Sequence, residues 1–158
     1  MRRALAQSAL VLIASGVFAQ LAYAAAPTQL LGRWAVDVSK LPVPTPPKSV
    51  TLTLSDLGDG SLRMEIDTIG TDDSKAHAEA TFKMDGTLAK VQGSLDVDTV
   101  SVTLPNHLSM TMGTAMAGHP SNSRVFTLSD DGRHMVETII SHAPDGMPRT
   151  RSNTWVRQ

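Results

Sequence analysis

The chain has 158 residues, with 14 Lys and Arg against 15 Asp and Glu, and it contains no cysteine. A net charge of −1 gives no indication of binding to nucleic acid or to an anionic membrane. The absence of cysteine excludes disulfides, thiolate metal sites and a thiol nucleophile.

Residues 1–24 have the pattern of a secretory signal peptide. Two arginines follow the first residue, and the apolar stretch 9–18 is too short to span a bilayer. Ala22-Tyr23-Ala24 is a small-x-small sequence, after which we expect cleavage. The remaining residues, 25–158, carry 12 Lys and Arg against 15 Asp and Glu, and they contain no integral membrane segment of spanning length. The sequence therefore predicts a single-domain protein that is periplasmic or secreted.

Apolar and polar residues alternate with a period of two through most of the remaining sequence, which predicts half-buried strands. The first of these runs places Trp34, Val36 and Val38 on one face. Four prolines then interrupt the pattern between residues 41 and 47. Because proline cannot donate to a strand ladder, we expect an extended segment that crosses the rim of a barrel. Further alternating runs begin near residues 50, 62, 76, 88, 99, 108, 124, 135 and 151.

Asp-Gly pairs separate the alternating runs at four places, residues 59–60, 85–86, 131–132 and 145–146. This dipeptide favours the tight turns of β-hairpins, so the sequence predicts an all-β fold built as a single antiparallel meander. An open sheet of this kind would expose two unpaired edges, and closing the sheet removes both of them. We therefore predict a barrel of about 8–10 short strands, whose interior is filled by side chains or holds one small ligand.

At Gly32-Arg33-Trp34 the chain resembles the first strand of lipocalin-like barrels of the calycin type. Over nearly all of residues 25–158 it is similar to short, exported bacterial lipocalin-like proteins of uncharacterised function. The matching segments are Gly32-x-Trp34, Ser39-Lys40 with the following Pro44-Thr45-Pro46-Pro47-Lys48-Ser49, Asp98-Thr99-Val100-Ser101, Asp131-Gly132 and Asp145-Gly146-x-Pro148.

The resemblance implies how the barrel closes. Gly32 would ease a bend at the start of the first strand, and Trp34 would plug the closed end of the barrel. A basic residue near the C-terminus would pack over that indole, and the two arginines that flank Trp155, Arg151 and Arg157, are the candidates. Trp34 and Trp155 could instead stack on a ligand, but a buried indole at a barrel end is more often structural.

The main functional hypothesis is a binding protein that holds a small apolar molecule inside the barrel without a cofactor. An interior with few aromatic residues and several methionines adapts to ligands of varied shape. The inward faces of the predicted strands supply the expected ligand-binding residues, which are Trp34, Val36, Leu52, Leu54, Met64, Ile66, Phe82, Val100, Val102, Met110 and Phe126.

Two other functions are compatible with the sequence. A filled barrel would act through its surface, as a partner or inhibitor of another envelope protein, with the rim Leu41 to Pro47 and a flexible loop from Ala117 to Ser123 as contact surfaces. Alternatively, Met110, Met112 and His119 would supply the thioether and imidazole ligands that copper(I) prefers. The sequence contains no nucleophile elbow and no zinc-enzyme motif, so we expect neither catalytic activity nor a resident metal.

Overall fold

The computed structural model describes residues 29–94 and 96–158, so the predicted signal peptide, 1–24, lies outside the described residues. The described part of the chain forms ten strands and one short 3-10 helix, Val38–Lys40. The strands are β1 (Gly32–Val36), β2 (Ser49–Asp56), β3 (Ser61–Ile69), β4 (Lys75–Lys83), β5 (Asp85–Gln92), β6 (Thr99–Asn106), β7 (Ser109–Met116), β8 (His119–Leu128), β9 (His134–His142) and β10 (Pro148–Arg157).

Each strand pairs in antiparallel fashion with its neighbours in the chain, and β1 also pairs with β10, which closes the sheet into a barrel. At this seam Trp34 lies opposite both Leu52 of β2 and Arg157 of β10. The barrel confirms the predicted all-β meander, and its ten strands fall within the predicted number. Among the described residues, no helix has the length and apolar character needed to cross a membrane.

Period-two alternation builds the core, because every second side chain of a strand points into the barrel. On β2 the side chains of Leu52 and Leu54 are buried, while Thr53 between them is only partly buried. The same pattern on the other strands joins the inward side chains into one apolar cluster. Its largest members are Trp34, Leu52, Leu54, Leu62, Met64, Phe82, Met110, Met112, Phe126, Leu128, Met135 and Trp155.

The connections between strands define two ends of the barrel. The end that we call closed carries the chain at residues 29–31 and the turns β2–β3, β4–β5, β6–β7 and β8–β9. The end that we call open carries the connection from β1 to β2 and the turns β3–β4, β5–β6, β7–β8 and β9–β10. The proline-rich part of the first connection, residues 41–47, forms no strand, and residues 42–45 are exposed, as expected for a rim segment.

The first strand ends earlier than the sequence pattern predicts. Val38, expected on the apolar face of that strand, begins the 3-10 helix instead. The N–H of Asp37 still donates to the Thr154 carbonyl at 2.9 Å, and the N–H of Lys40 then donates back to the Asp37 carbonyl at 3.0 Å. The Asp37 carboxylate accepts the Ser39 hydroxyl at 2.6 Å and pairs with the Lys40 ammonium at 3.0 Å. These contacts, chiefly the bond from Ser39, lower the pKa of Asp37 and favour the turn over a longer strand.

The segment Ala117 to Ser123 is not the flexible loop that the sequence predicts. A two-residue turn, Ala117-Gly118, connects β7 directly to β8, and residues 119–123 belong to β8. Both turn residues have positive φ, 50° and 79°, as required by the tight hairpin turns that match the twist of the strands. The N–H of Ala117 also donates to the Asp98 carboxylate at 2.7 Å, which holds the turn in place.

Three of the four predicted Asp-Gly pairs, at 59–60, 131–132 and 145–146, lie between paired strands, whereas Asp85-Gly86 forms the first two residues of β5, directly after the turn at residue 84. In all four pairs the aspartate Oδ1 accepts the backbone N–H two residues further along the chain, at 2.9–3.0 Å. Such a bond favours the turn locally, before the strands have paired, and this explains why the dipeptide locates the hairpins so well. The donors are Ser61, Thr87, Arg133 and Met147.

Gly93 follows β5 at the open end and lies directly against the backbone of β4. Its φ is +77°, and a Cβ atom at this position would overlap the carbonyl oxygen of His77. Gly118 has a similar φ of +79°, but an added Cβ there would meet nothing within 4 Å. Both the backbone angle and the close approach therefore require glycine at position 93, whereas only the angle requires it at position 118.

We expect Gly93→Ala to destabilise the barrel by about 2–4 kcal/mol, because positive-φ strain adds to a forced displacement of β4. The matched variant Gly118→Ala carries the strain alone and should cost about 1–2 kcal/mol. Urea unfolding followed by circular dichroism measures both losses. Equal losses in the two variants would contradict a role for the contact with His77.

Candidate functional site

A cavity of about 90 Å³ lies inside the barrel, toward the open end. Residues of β3 to β8 and of the β5–β6 connection line it, so it occupies one side of the barrel. Ser94 and Arg124 are polar residues of the lining; Glu79 also borders the cavity, but its carboxylate lies on the outer face of β4, where it pairs with Arg63. The rest of the lining is apolar and consists of Met64, Ile66, Ala78, Ala80, Phe82, Val91, Val97, Val100 and Met112.

Small side chains on β4 account for this space. Ala78 lies opposite Ile66 of β3, and Ala80 lies opposite Met64. On the other side of β3 the same Ile66 faces the larger Leu52 of β2. Because protein interiors are otherwise close-packed, two successive alanines on one inward face leave a gap at this level of the barrel.

Two residues of the β5–β6 connection, Ser94 and Val97, contribute to the cavity lining. The side chain of Val97 is buried. Next to it, the Asp98 carboxylate accepts the backbone N–H of Ala117 at 2.7 Å and the Thr99 hydroxyl at 2.9 Å. These bonds, chiefly the one from Ala117, hold the pKa of Asp98 below its usual range. Asp98, next to the cavity residue Val97, is thus bonded to the β7–β8 turn.

A buried ion pair supports the polar side of the cavity. Arg124 Nη1 donates to Glu137 Oε1 at 2.9 Å, and Arg124 Nε donates to the Asn122 side-chain oxygen at 2.9 Å. The Glu137 side chain is only 1% exposed, compared with 24% for Arg124. The second carboxylate oxygen of Glu137 accepts the Asn153 amide at 2.8 Å and the Trp155 indole N–H at 3.1 Å.

This network determines what Arg124 can offer to a ligand. Its guanidinium reaches the cavity lining from the inward face of β8, while Glu137 beside it carries the compensating charge. Two partners fix the orientation of the guanidinium, which lowers the conformational entropy that a ligand contact would cost. The cavity therefore combines apolar walls with one oriented group of hydrogen-bond donors and little net charge.

Hydrogen bonds and a cation–π contact close the opposite end of the barrel. The Trp34 indole is fully buried, and its Nε1–H donates to the Leu30 carbonyl at 3.0 Å. The Arg157 guanidinium lies over the indole, 4.2 Å from the ring centroid. Arg157 also donates to the Gly132 carbonyl at 2.7 Å and to the Leu31 carbonyl at 2.8 Å. One arginine thus joins the indole, the β8–β9 turn and the chain before β1.

Gly32, Trp34 and Arg157 come together at this closed end, as the resemblance implies. Gly32 has a φ of +116°, and a Cβ there would lie only 3.0 Å from Nη1 of Arg157. Arg151, the other basic candidate, does not join them, because it is exposed and lies opposite Ile139 on β9. It lies six positions before Arg157 on β10, about 20 Å of extended strand.

The expected ligand-binding residues divide into two groups. Met64, Ile66, Phe82 and Val100 line the cavity. The remaining residues are also buried inside the barrel, but they pack against one another in the core away from the cavity. They are Trp34, Val36, Leu52, Leu54, Val102, Met110 and Phe126.

The three residues considered for copper(I) do not form one site. Met110 and Met112 are both buried inside the barrel, and Met112 lines the cavity. His119 is exposed and lies opposite Met116, at the far end of the β7–β8 hairpin. Met116 lies four positions beyond Met112 on β7, about 13 Å of extended strand. The alternative of one copper(I) ion shared by these three residues does not fit this geometry.

Sequence reasoning missed the polar residues of the interior. Arg124 is two residues before Phe126, and Glu137 is two residues after Met135, so both share the inward face of an apolar residue. This alternation is visible in the sequence and could have identified them. Opposite charges on the inward faces of consecutive strands are unusual, since an unpaired charge is costly to bury. Such a pattern indicates a buried ion pair.

Comparison with known proteins found no matching family model and no matching curated protein. Among solved structures, the chain is similar to the crystal structure of a mutant of the fluorescent protein UnaG, with 14% sequence identity and a TM-score of 0.57. The match covers 83% of this chain and 97% of that chain. At this identity the likeness is one of fold, and it supports the calycin-type barrel that the sequence resemblance implies.

Proposed function

We propose that this protein is an exported, non-enzymatic binding protein that holds a small, mainly apolar molecule in the barrel cavity beside Arg124. The observation that carries the proposal is the apolar cavity with a single oriented guanidinium in its lining. Ligand sites commonly combine apolar walls with a few fixed polar groups of this kind. The fold likeness to a calycin-type barrel is consistent with such a site.

The size of the cavity limits the ligand. Its volume of about 90 Å³ is well below the roughly 300–1,000 Å³ of sites for drug-sized molecules. It is also smaller than the apolar cavity of about 150 Å³ that is known to admit benzene. Met64 and Met112 line the cavity, and unbranched thioether side chains can rotate to enlarge it. The best candidates are therefore compounds of a few heavy atoms, up to a single ring, that carry one hydrogen-bond acceptor.

Export to the periplasm or the extracellular space is part of the proposal. Its support is the positively charged start, short apolar stretch and small-x-small sequence of residues 1–24. The chain has no cysteine, so in either compartment its stability would come from the core and from the hydrogen bonds of the closed sheet, without disulfides.

A cavity-filling variant tests whether ligands enter this site. Ala80→Leu adds three carbon atoms where the lining is smallest, while Thr81→Leu adds apolar surface to the exposed face of the same strand. We expect a small hydrophobe at 100 times its Kd to stabilise the wild type and Thr81→Leu by about 2.7 kcal/mol. Ala80→Leu should show little stabilisation at the same concentration.

Thermal denaturation against a panel of benzene, phenol, short-chain alcohols and short-chain esters measures this effect. The baseline stability of Ala80→Leu without any compound shows whether the variant still folds. Equal stabilisation of all three proteins, or of none by any compound, would contradict binding in the cavity.

A second candidate function is a barrel that acts through its surface as a partner or inhibitor of an envelope protein. The small interior volume favours it, and so does an outer groove of about 290 Å³ across β5 to β9. Leu88, 78% exposed, and Ile140 lie in that groove, and the rim residues 42–45 are exposed at the open end. In this case Leu88→Asp should abolish cross-linking to a protein in the envelope, whereas Ala80→Leu should leave it unchanged.

A further inference from the structure

A cluster of ionisable side chains lies on the outer face of β3 and β4, outside the barrel cavity. The register places Glu65 opposite Glu79 and Asp67 opposite His77. Glu65, His77 and Glu79 each offer one potential ligand atom, and these three atoms lie within 4.8 Å of one another. Arg63 contacts the same group from the adjacent level of β3.

Asp67 orients the imidazole within this cluster. His77 Nδ1 lies 2.8 Å from Asp67 Oδ1, and the other ring nitrogen, Nε2, lies 4.0 Å from Glu79 Oε2. A histidine that binds a metal ion usually donates its second ring N–H to a carboxylate, which fixes both the tautomer and the ring orientation. The Asp67–His77 contact therefore orients the imidazole as in a metal site, which carboxylates alone could not do.

The charges of the cluster favour a cation. The cluster contains three carboxylates, those of Glu65, Asp67 and Glu79, and one guanidinium, that of Arg63. Two glutamates directly opposite each other on neighbouring strands repel, and a positive charge between them relieves that repulsion. Arg63 now does so, pairing with Glu65 at 3.2 Å and with Glu79. A divalent ion would satisfy the same carboxylates with twice the charge.

We propose that Glu65, His77 and Glu79 bind a divalent transition metal ion, Zn²⁺ in preference to Ca²⁺ or Mg²⁺, on the outer face of the barrel. One imidazole nitrogen and two carboxylate oxygens are ligands that zinc accepts, whereas calcium and magnesium favour oxygen alone. Binding would draw the three exposed or half-buried side chains together and displace Arg63 toward solvent. Water would complete the coordination.

Isothermal titration of the untagged protein with zinc chloride tests the site. We expect one zinc ion per chain and an affinity that falls more than tenfold in His77→Gln, since this variant loses a direct ligand. Asp67→Asn should weaken binding by about tenfold through the orientation of the imidazole. Arg63→Gln should bind zinc more tightly than the wild type, because it frees both glutamates.

The matched control is His142→Gln, which removes an exposed histidine on β9, away from the cluster. It should leave zinc affinity unchanged, and circular dichroism should show the same fold for every variant because the substituted side chains lie outside the core. Equal zinc affinity in His77→Gln and the wild type would overturn the proposal. An anomalous zinc peak elsewhere in a crystal of the complex would do so as well.

The pH dependence supplies an independent readout. The hydrogen bond with Asp67, together with the charges of Glu79 and Glu65, raises the pKa of His77 above its ordinary value. Because zinc binds the deprotonated imidazole, protons compete with the metal ion, and zinc affinity should fall as the pH decreases. The other facing residues are Arg63 of β3 and the non-titrating Gln92 of β5 and Thr53 of β2. This fall should be much shallower in His77→Gln.

Discussion

Replacing Trp34 by alanine is expected to destabilise the protein by about 3–5 kcal/mol, one of the two largest effects that the structure predicts. The indole is fully buried and fills the closed end of the barrel, so its removal leaves a cavity that the closed sheet cannot collapse to fill. The variant also loses the cation–π contact with Arg157, which lies 4.2 Å from the ring centroid. Urea unfolding followed by far-ultraviolet circular dichroism measures the loss.

Two further variants separate the contributions at the closed end. Arg157→Met keeps an apolar stem over the indole but removes the charge and the bonds to the Gly132 and Leu31 carbonyls. Because the two side chains interact, the double variant Trp34→Ala/Arg157→Met should lose less stability than the sum of the single losses. The exposed Leu57→Ala serves as a control, with an expected change within about 0.5 kcal/mol. A loss below about 1 kcal/mol for Trp34→Ala would refute its role as the plug.

Arg124→Met is expected to cost about 3–5 kcal/mol, because it leaves the buried Glu137 carboxylate without its compensating charge. The Asn153 and Trp155 donors would remain, but neither carries a charge. The double variant Arg124→Met/Glu137→Leu should recover most of the loss, since a buried ion pair can be replaced by apolar residues at little cost. Equilibrium unfolding of the three proteins measures this difference.

The ion pair on the outer face of the barrel provides the comparison for Arg124. Arg63 pairs with Glu65 and Glu79, but its side chain is 44% exposed, and surface pairs contribute at most about 1 kcal/mol. Arg63→Met should therefore change stability far less than Arg124→Met. Similar losses in the two variants would show that burial of Glu137 does not cause the loss of stability in Arg124→Met. A double variant at Arg124 and Glu137 that is no more stable than Arg124→Met would show the same.

The sequence was sufficient to predict the barrel because its main signals are local. Alternation assigns a face to each residue of a strand, and each Asp-Gly turn is supported by a hydrogen bond within three residues. Of the two errors in the strand boundaries, one has a local cause and the other a long-range cause. The strand expected to reach Val38 ends at Val36 because Asp37 bonds to Ser39, and the loop expected from Ala117 is a two-residue turn fixed by the distant Asp98.

The cavity was not predictable because it depends on the register between strands. Alternation places Ala78 and Ala80 inside the barrel, but only the pairing with Ile66 and Met64 shows that they leave a gap. By contrast, the inward position of Arg124 could have been predicted, since the alternation pattern of the sequence places it on the same face as Phe126. Its partner Glu137 lies 13 residues further along the chain, and adjacent hairpin strands bring the two together.

Nuclear magnetic resonance of methionine methyl groups tests the central claim, that the cavity binds a small apolar molecule, most directly. Met64 and Met112 line the cavity, Met135 is buried outside it, and Met147 is 63% exposed. Titration with a stabilising compound should shift the Met64 and Met112 resonances in a saturable manner and leave Met147 unchanged. Ala80→Leu should abolish those shifts. If the compound stabilises the protein while Met64 and Met112 do not respond, or if only Met147 responds, the ligand binds elsewhere and the account is wrong.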